Sequence, residues 1–182
     1  MNLSRRQTLM ALGASAAIAP TSVAAASREK IDARVRSAKS EMFNRYPFTQ
    51  RLVNDAAGYL MLPRITKGGI FFGGAYGEGS LLIKGAPVDY YSFAAGSYGL
   101  QFGVASFSTA LFLMNQRALG EFRRRDGWTL GVDLEAAVID EGETVAIDTN
   151  THQDSIYAIS YSQKGLMLGA SIEGGKYSRI TR

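Results

Sequence analysis

The sequence predicts an α+β fold, with N-terminal helices packed on a strongly curved, barrel-like antiparallel β-sheet. Three observations carry that expectation. Ile31, Val35, Ala38 and Met42 recur at spacings of four, three and four, which aligns them on one face of a helix. Over residues 65–105 the composition shifts to Gly, Tyr, Phe and aliphatic residues in short runs separated by glycines, the pattern of consecutive antiparallel strands. Glycine weakens a strand, so its abundance there calls for tight bends, bulges or close backbone approach, which a sheet closing like a barrel requires.

Residues 1–26 read as an export signal. Ser4-Arg5-Arg6-Gln7-Thr8-Leu9 heads a weakly apolar, alanine-rich run over 9–23, and Ala24-Ala25-Ala26 offers the small residues a signal peptidase needs for cleavage before Ser27. The paired arginines resemble a twin-arginine signal. Thr8 and Met10 stand where that pattern often has Phe and Lys, which leaves the general secretory route open. A membrane span needs roughly 18 or more strongly apolar residues, and Gly13, Pro20 and Thr21 interrupt this run, so no anchor is expected. The expected organisation is a signal over 1–26 and one domain over 27–182, located in the periplasm and peripheral at an envelope membrane.

Composition narrows the classes further. With no cysteine, an exported chain has neither disulfides nor a lipobox, and must rely on a packed core. The formal net charge of +4 falls to +2 once Arg5 and Arg6 are removed. That suits contact with an acidic surface and falls short of a nucleic-acid binder.

The mature chain opens with a basic amphipathic helix carrying Arg28, Lys30, Arg34, Arg36 and Lys39 around its apolar stripe. A second helical stretch after Pro47 aligns Thr49, Leu52, Val53, Ala56, Ala57 and Leu60, with Pro63 expected to stop it. Residues 70–72, 80–83, 88–93 and 100–104 read as strands. Lys84-Gly85-Ala86-Pro87 reads as a turn in which Gly85 takes positive φ and Pro87 opens the next strand. Residues 107–114 are continuously apolar or small and fit helix or strand. Asn115 is the N-cap candidate of a helix through Phe122, and 123–127 turn the chain. Residues 128–139 alternate as a strand with Trp128 inward, and 156–161 with 166–172 form the last hairpin.

Catalytic patterns fail one by one. His152 is the only histidine and sits in a polar loop, so neither a histidine metal cluster nor a Cys-His nucleophile can be assembled. Gly73-Gly74-Ala75-Tyr76-Gly77-Glu78-Gly79 lacks both the Gly-Lys-Ser/Thr ending of a P-loop and the Gly-x-Gly-x-x-Gly spacing, so bent β-structure is preferred. Glu78, Asp89, Asp133 and Glu135 could pair across strands, which keeps a two-carboxylate hydrolase as the third-ranked alternative. The expectation is a non-enzyme with no cofactor and no metal.

Six ordered blocks carry a resemblance that covers nearly the whole mature chain: Leu62-Pro63-Arg64-Ile65-Thr66-Lys67-Gly68-Gly69, Gly73-Gly74-Ala75-Tyr76-Gly77-Glu78-Gly79, Tyr90-Tyr91-Ser92, Ser97-Tyr98-Gly99-Leu100-Gln101-Phe102-Gly103, Gly127-Trp128-Thr129-Leu130-Gly131-Val132-Asp133 and Gly165-Leu166-Met167-Leu168-Gly169. In order and approximate spacing they resemble the SYLF domain family. The resemblance implies lipid binding: eukaryotic members bind phosphoinositides, some actin-patch members also bind actin through an added basic segment, and bacterial members are exported envelope proteins. No catalytic residues are known for it. Actin binding is not expected here, because the chain has an export-type signal and no SH3-like partner domain.

An acidic lipid headgroup is therefore the expected ligand. The candidate lipid-binding residues are Arg28, Lys30, Arg34, Arg36 and Lys39 on the first helix, with Lys67 beside Gly68 and Gly69, whose backbone amides can reach an anion. One of those glycines is expected at positive φ or at a site where no Cβ fits. Each cation near an anionic surface contributes about 1 kcal/mol, so several give weak, salt-sensitive association without a deep pocket. The partners expected are an anionic lipid or membrane surface and no nucleic acid. The alternative is a structural or interaction module that docks another envelope protein.

Overall fold

Ser27 caps the first helix, its hydroxyl accepting from the Lys30 N–H at 3.4 Å, and α1 runs over Arg28–Arg45. The structure, a computed structural model, describes residues 26–69, 72–98, 104–129, 137–139, 155–162, 165–166 and 174–182. After α2 (Thr49–Asp55) come β1 (Gly58–Gly69), β2 (Phe72–Ile83), β3 (Ala86–Tyr98) and β4 (Val104–Leu113). Then follow α3 (Gln116–Arg124), β5 (Gly127–Thr129), β6 (Ala137–Ile139), β7 (Ile156–Ser162), β8 (Gly165–Leu166) and β9 (Lys176–Ile180). The strands form one sheet in the order β5-β9-β3-β2-β1-β4-β7-β6, with β8 also on β7. Its antiparallel part curls through 194° into a half-barrel, as the glycine-rich strands predict.

Both faces of the central strands are covered. Along β1, Tyr59 and Met61 join Ile31, Val35, Ala38, Met42 of α1 and Leu52 of α2 in one cluster, while Leu60 and Leu62 join Ala118, Leu119 and Phe122 of α3 in another. β4 splits the same way, Ala110 and Phe112 to one side and Leu111 and Leu113 to the other. This explains why 107–114 shows no polar alternation: a strand buried on both faces reads as a continuous apolar run.

The second helix is shorter than its periodicity suggests. It ends at Asp55, and Ala56 is already extended with ψ 140°. Leu60 and Pro63 lie in β1, where pairing with both β2 and β4 overrides helical spacing. Pro63 sits in a bulge: four steps along β1 from Met61 to Ile65 oppose three along β2 from Ser80 to Gly77. A bulge leaves a ladder position unpaired, which accommodates a residue without an N–H, and the Pro63 carbonyl accepts from Ser108 Oγ at 2.8 Å.

Other expectations meet mixed outcomes. The turn forms at Lys84 (φ 51°) and Gly85 (φ 80°), and β3 opens at Ala86, one residue before the expected Pro87. Asn115 caps α3 by accepting from the Ala118 N–H at 2.9 Å. Gly68 does not take the positive φ expected of the pair; Gly68 and Gly69 are laddered in β1 opposite Gly74 and Gly73. β8 pairs with β7 at Tyr161 and Ser162, the described part of the expected hairpin, and β9, which the sequence reading omitted, inserts between β3 and β5. Ile70, Phe71, 99–103, 130–136, 140–154, 163–164 and 167–173 lie outside the described residues, and with them Asp133, Glu135 and His152, as do residues 1–25 of the segment expected to be a signal.

Candidate functional site

The apolar stripe of α1 is spent on the fold. Ile31, Val35, Ala38 and Met42 are all buried against the sheet, and three polar contacts fasten the helix there. Asp32 accepts from the Tyr90 hydroxyl at 3.0 and 3.1 Å, the Tyr161 hydroxyl donates to the Ala38 carbonyl at 2.8 Å, and Arg45 Nη1 donates to the Ser162 carbonyl at 2.6 Å. Burial, then the hydrogen bond to Asp32, raises the Tyr90 hydroxyl above its ordinary pKa.

The candidate cations divide around that buried stripe. At about 100° per residue, Arg28, Arg36 and Lys39 fall on one flank with Asp32, and Lys30 and Arg34 fall on the other with Glu41. Arg28, Lys30, Arg34 and Arg36 are exposed. Arg28 also donates to the Arg182 carbonyl and lies over the Tyr90 ring at 5.4 Å. Lys39 is half-buried, with Nζ 5.3 Å from the Phe43 ring centre and 6.0 Å from that of Tyr59.

Lys67 does not join them. The bulge at Pro63 reverses the alternation of β1, so Lys67 shares the face of Ile65 and Ala75, the face that α3 covers. The structure thus brings Arg28, Arg36 and Lys39 onto one flank of α1 and places the Lys67 side chain on the other face of the sheet from all the helix cations, while Gly68 and Gly69 are laddered beside it in β1.

Lys39 reaches a pocket of about 330 Å³ that the sequence did not reveal, bounded by α1, the end of α2, the start of β1 and the β2–β3 turn. Lys84, Asn54 and Tyr59 also line it. The only sign available in the sequence was Lys84 beside Gly85 in a predicted turn. That α1 and α2 approach this turn is a tertiary fact.

Glu78 and Asp89, the two described carboxylates among those that the sequence offered as a pair, are each held by neighbouring cations. Glu78 lies on the α1 face and accepts from Tyr76 Oη at 2.7 Å, the Ala26 N–H at 3.2 Å and Arg182 Nη2. Burial would raise its pKa, but the hydrogen bonds from Tyr76, Arg182 and Ala26 outweigh that and hold it below the ordinary value. Asp89 lies on the opposite face, between Arg123 Nε at 2.7 Å and Arg179. Two carboxylates on opposite faces of one sheet do not make the acid and base of a hydrolase. Among the described residues, no three His, Cys, Asp or Glu side chains gather to hold a metal, and no helix is long and apolar enough to cross a membrane.

A half-barrel sheet covered by helices on both faces, with a cationic helix strapped across one of them, defines the class: an α+β domain with a basic outer surface. Residues 94–181 match the family described as Ysc84, Las17-binding protein actin regulator, which supports membership of the SYLF family. The match starts within β3 and ends beyond β9, so α1 and the glycine-rich β1–β2 hairpin lie outside it. No curated protein matches the chain.

Proposed function

We propose that the chain is an exported, non-catalytic protein that binds anionic phospholipid or phosphoinositide-like headgroups at an envelope membrane surface. The arrangement of α1 supports this best. Its apolar residues are committed to the sheet and its exposed surface carries Arg28, Lys30, Arg34 and Arg36. Inserting the stripe into a bilayer would require peeling α1 from the core, so contact through this helix is electrostatic, peripheral and salt-sensitive. The family description names an actin regulator, but an export-type N-terminus favours a lipid surface over the cytoskeleton. Sedimentation with anionic and neutral liposomes tests the reading. Binding to anionic vesicles alone, lost at high salt, is expected; failure to bind any vesicle would overturn it and promote docking to another envelope protein.

A further inference from the structure

The peptide bond between Ala26 and Ser27, where the export reading puts cleavage, is fastened on both sides by the folded domain. The Ala26 N–H donates to Glu78 Oε2 at 3.2 Å, and its side chain is half-buried against the α1 cluster. Ser27 is engaged as well: its hydroxyl accepts from the Lys30 N–H at 3.4 Å and its carbonyl from the Ile31 N–H at 3.0 Å. Arg28 is already helical, and Ile31, only 1% exposed, pins that first turn to the sheet.

Arg28 also closes a circuit around the bond. Its guanidinium donates to the Arg182 carbonyl, the Arg182 guanidinium donates to Glu78 Oε1, and Glu78 Oε2 accepts from Ala26. Arg28 and Arg182 are 154 residues apart in sequence, so the circuit exists only once the segment beyond β9 has reached its place beside α1. The Glu78 side chain is 8% exposed and that of Arg182 17%, so this ion pair is screened less than a surface pair.

We infer that folding itself closes the processing site: the Ala26–Glu78–Arg182–Arg28 circuit withholds the Ala26–Ser27 bond from the signal peptidase until it opens locally. A peptidase takes its substrate as an extended strand on both sides of the cut, with small side chains in its subsites. To adopt that form here, Ala26 must leave Glu78 and the first turn of α1 must unwind. Hydrolysis adds one water; Ala26 keeps the new carboxylate, Ser27 the new α-amino group, and Glu78 loses the Ala26 N–H with the departing peptide. A chain cut before it folds escapes the restraint, and a chain that folds before transport meets it. The inference rests on the export reading for the position of the bond, and goes beyond it in giving the fold control over the rate.

The test uses the purified full chain and a purified signal peptidase in detergent. One sample is folded beforehand, the other is diluted from urea directly into the enzyme, and mass spectrometry follows the product that begins at Ser27. The folded chain should be cut at least about tenfold more slowly, because cutting follows the small fraction that is locally open. Glu78→Gln and Arg182→Gln should each speed cutting of the folded chain about fivefold and leave the unfolded rate unchanged. Asp89→Asn separates local from global opening, since it takes the partner from Arg123 and Arg179 and touches no member of the circuit. Acceleration by Asp89→Asn as large as by Glu78→Gln would make global unfolding the gate and overturn the inference. Equal cutting of the folded and unfolded unmodified chain would overturn it too, with the export reading left standing. An unfolded chain that is not cut before Ser27 would overturn the export reading and the inference with it.

Discussion

Gly79 of β2 lies directly against the Met61 carbonyl of β1: a Cβ at position 79 would stand 2.0 Å from that oxygen and 2.9 Å from Leu62 Cα. The two strands approach this closely beside the bulge that holds Pro63, so the glycine is a packing requirement, with no positive φ involved. Gly79→Ala should destabilise the fold by about 1–3 kcal/mol or more, because the obstacle is backbone that cannot rotate away. Gly120, inside α3, has nothing within 4 Å of its Cβ position. Gly120→Ala should therefore stabilise by up to about 1 kcal/mol through helix propensity. Urea denaturation midpoints of the two variants, moving in opposite directions, check the pair.

Glu78 predicts an acid-sensitive stability. Its folded carboxyl is held below the ordinary value of 4.5, so its stabilising contribution is fully present above that pH and is lost as pH falls through the folded value. Glu78→Gln should lower stability at neutral pH and flatten the decline below about pH 4.5 relative to the unmodified protein. Parallel thermal melts between neutral and strongly acidic pH would read this. An identical acid slope in both proteins would assign the decline to other carboxylates.

The α1 stripe was legible because Ile31, Val35, Ala38 and Met42 all serve one partner surface and so keep a single period. Leu60 aligned with the second helix for a different reason: Tyr59 to Leu62 alternate between two buried faces, and an all-apolar run fits either period. β9 escaped notice because Lys176-Tyr177-Ser178-Arg179-Ile180 buries only Tyr177 fully, its charged neighbours resembling a loop. At the candidate site, the basic residues of α1 could be read from composition, but their division into two flanks follows from where the buried stripe points. The Lys39, Lys84 and Tyr59 grouping depends on chain segments distant in sequence and had no local signal.

The export reading makes a prediction at the α1 cap. Cleavage after Ala26 would leave Ser27, whose hydroxyl already accepts from the Lys30 N–H, as the first residue of the mature chain. N-terminal sequencing of exported protein should start at Ser27. Replacing Arg5 and Arg6 by Lys should strand a fused reporter in the cytoplasm under a twin-arginine route. Continued export of the double Lys variant would assign the general secretory route, and an intact Met1 on exported protein would contradict a cleaved signal.

Charge reversal on the two flanks of α1 separates surface attraction from any single contact. Arg34 and Arg36 are both exposed and lie on opposite flanks, so Glu at either should leave the circular dichroism spectrum nearly unchanged. Each reversal changes the local charge by two units, and near an anionic surface this costs on the order of 2 kcal/mol of membrane affinity. Arg34→Glu and Arg36→Glu should therefore weaken sedimentation with anionic liposomes comparably, and the two together with Lys39→Glu should abolish it. Raising salt from about 50 to about 500 mM should imitate the triple variant by shortening the Debye length from roughly 14 to roughly 4 Å. A loss confined to Arg36 and Lys39 variants would place the contact on the flank that carries the Lys39 pocket. Undiminished binding of the triple variant would remove α1 from the contact and direct attention to Lys67 on the opposite face of the sheet.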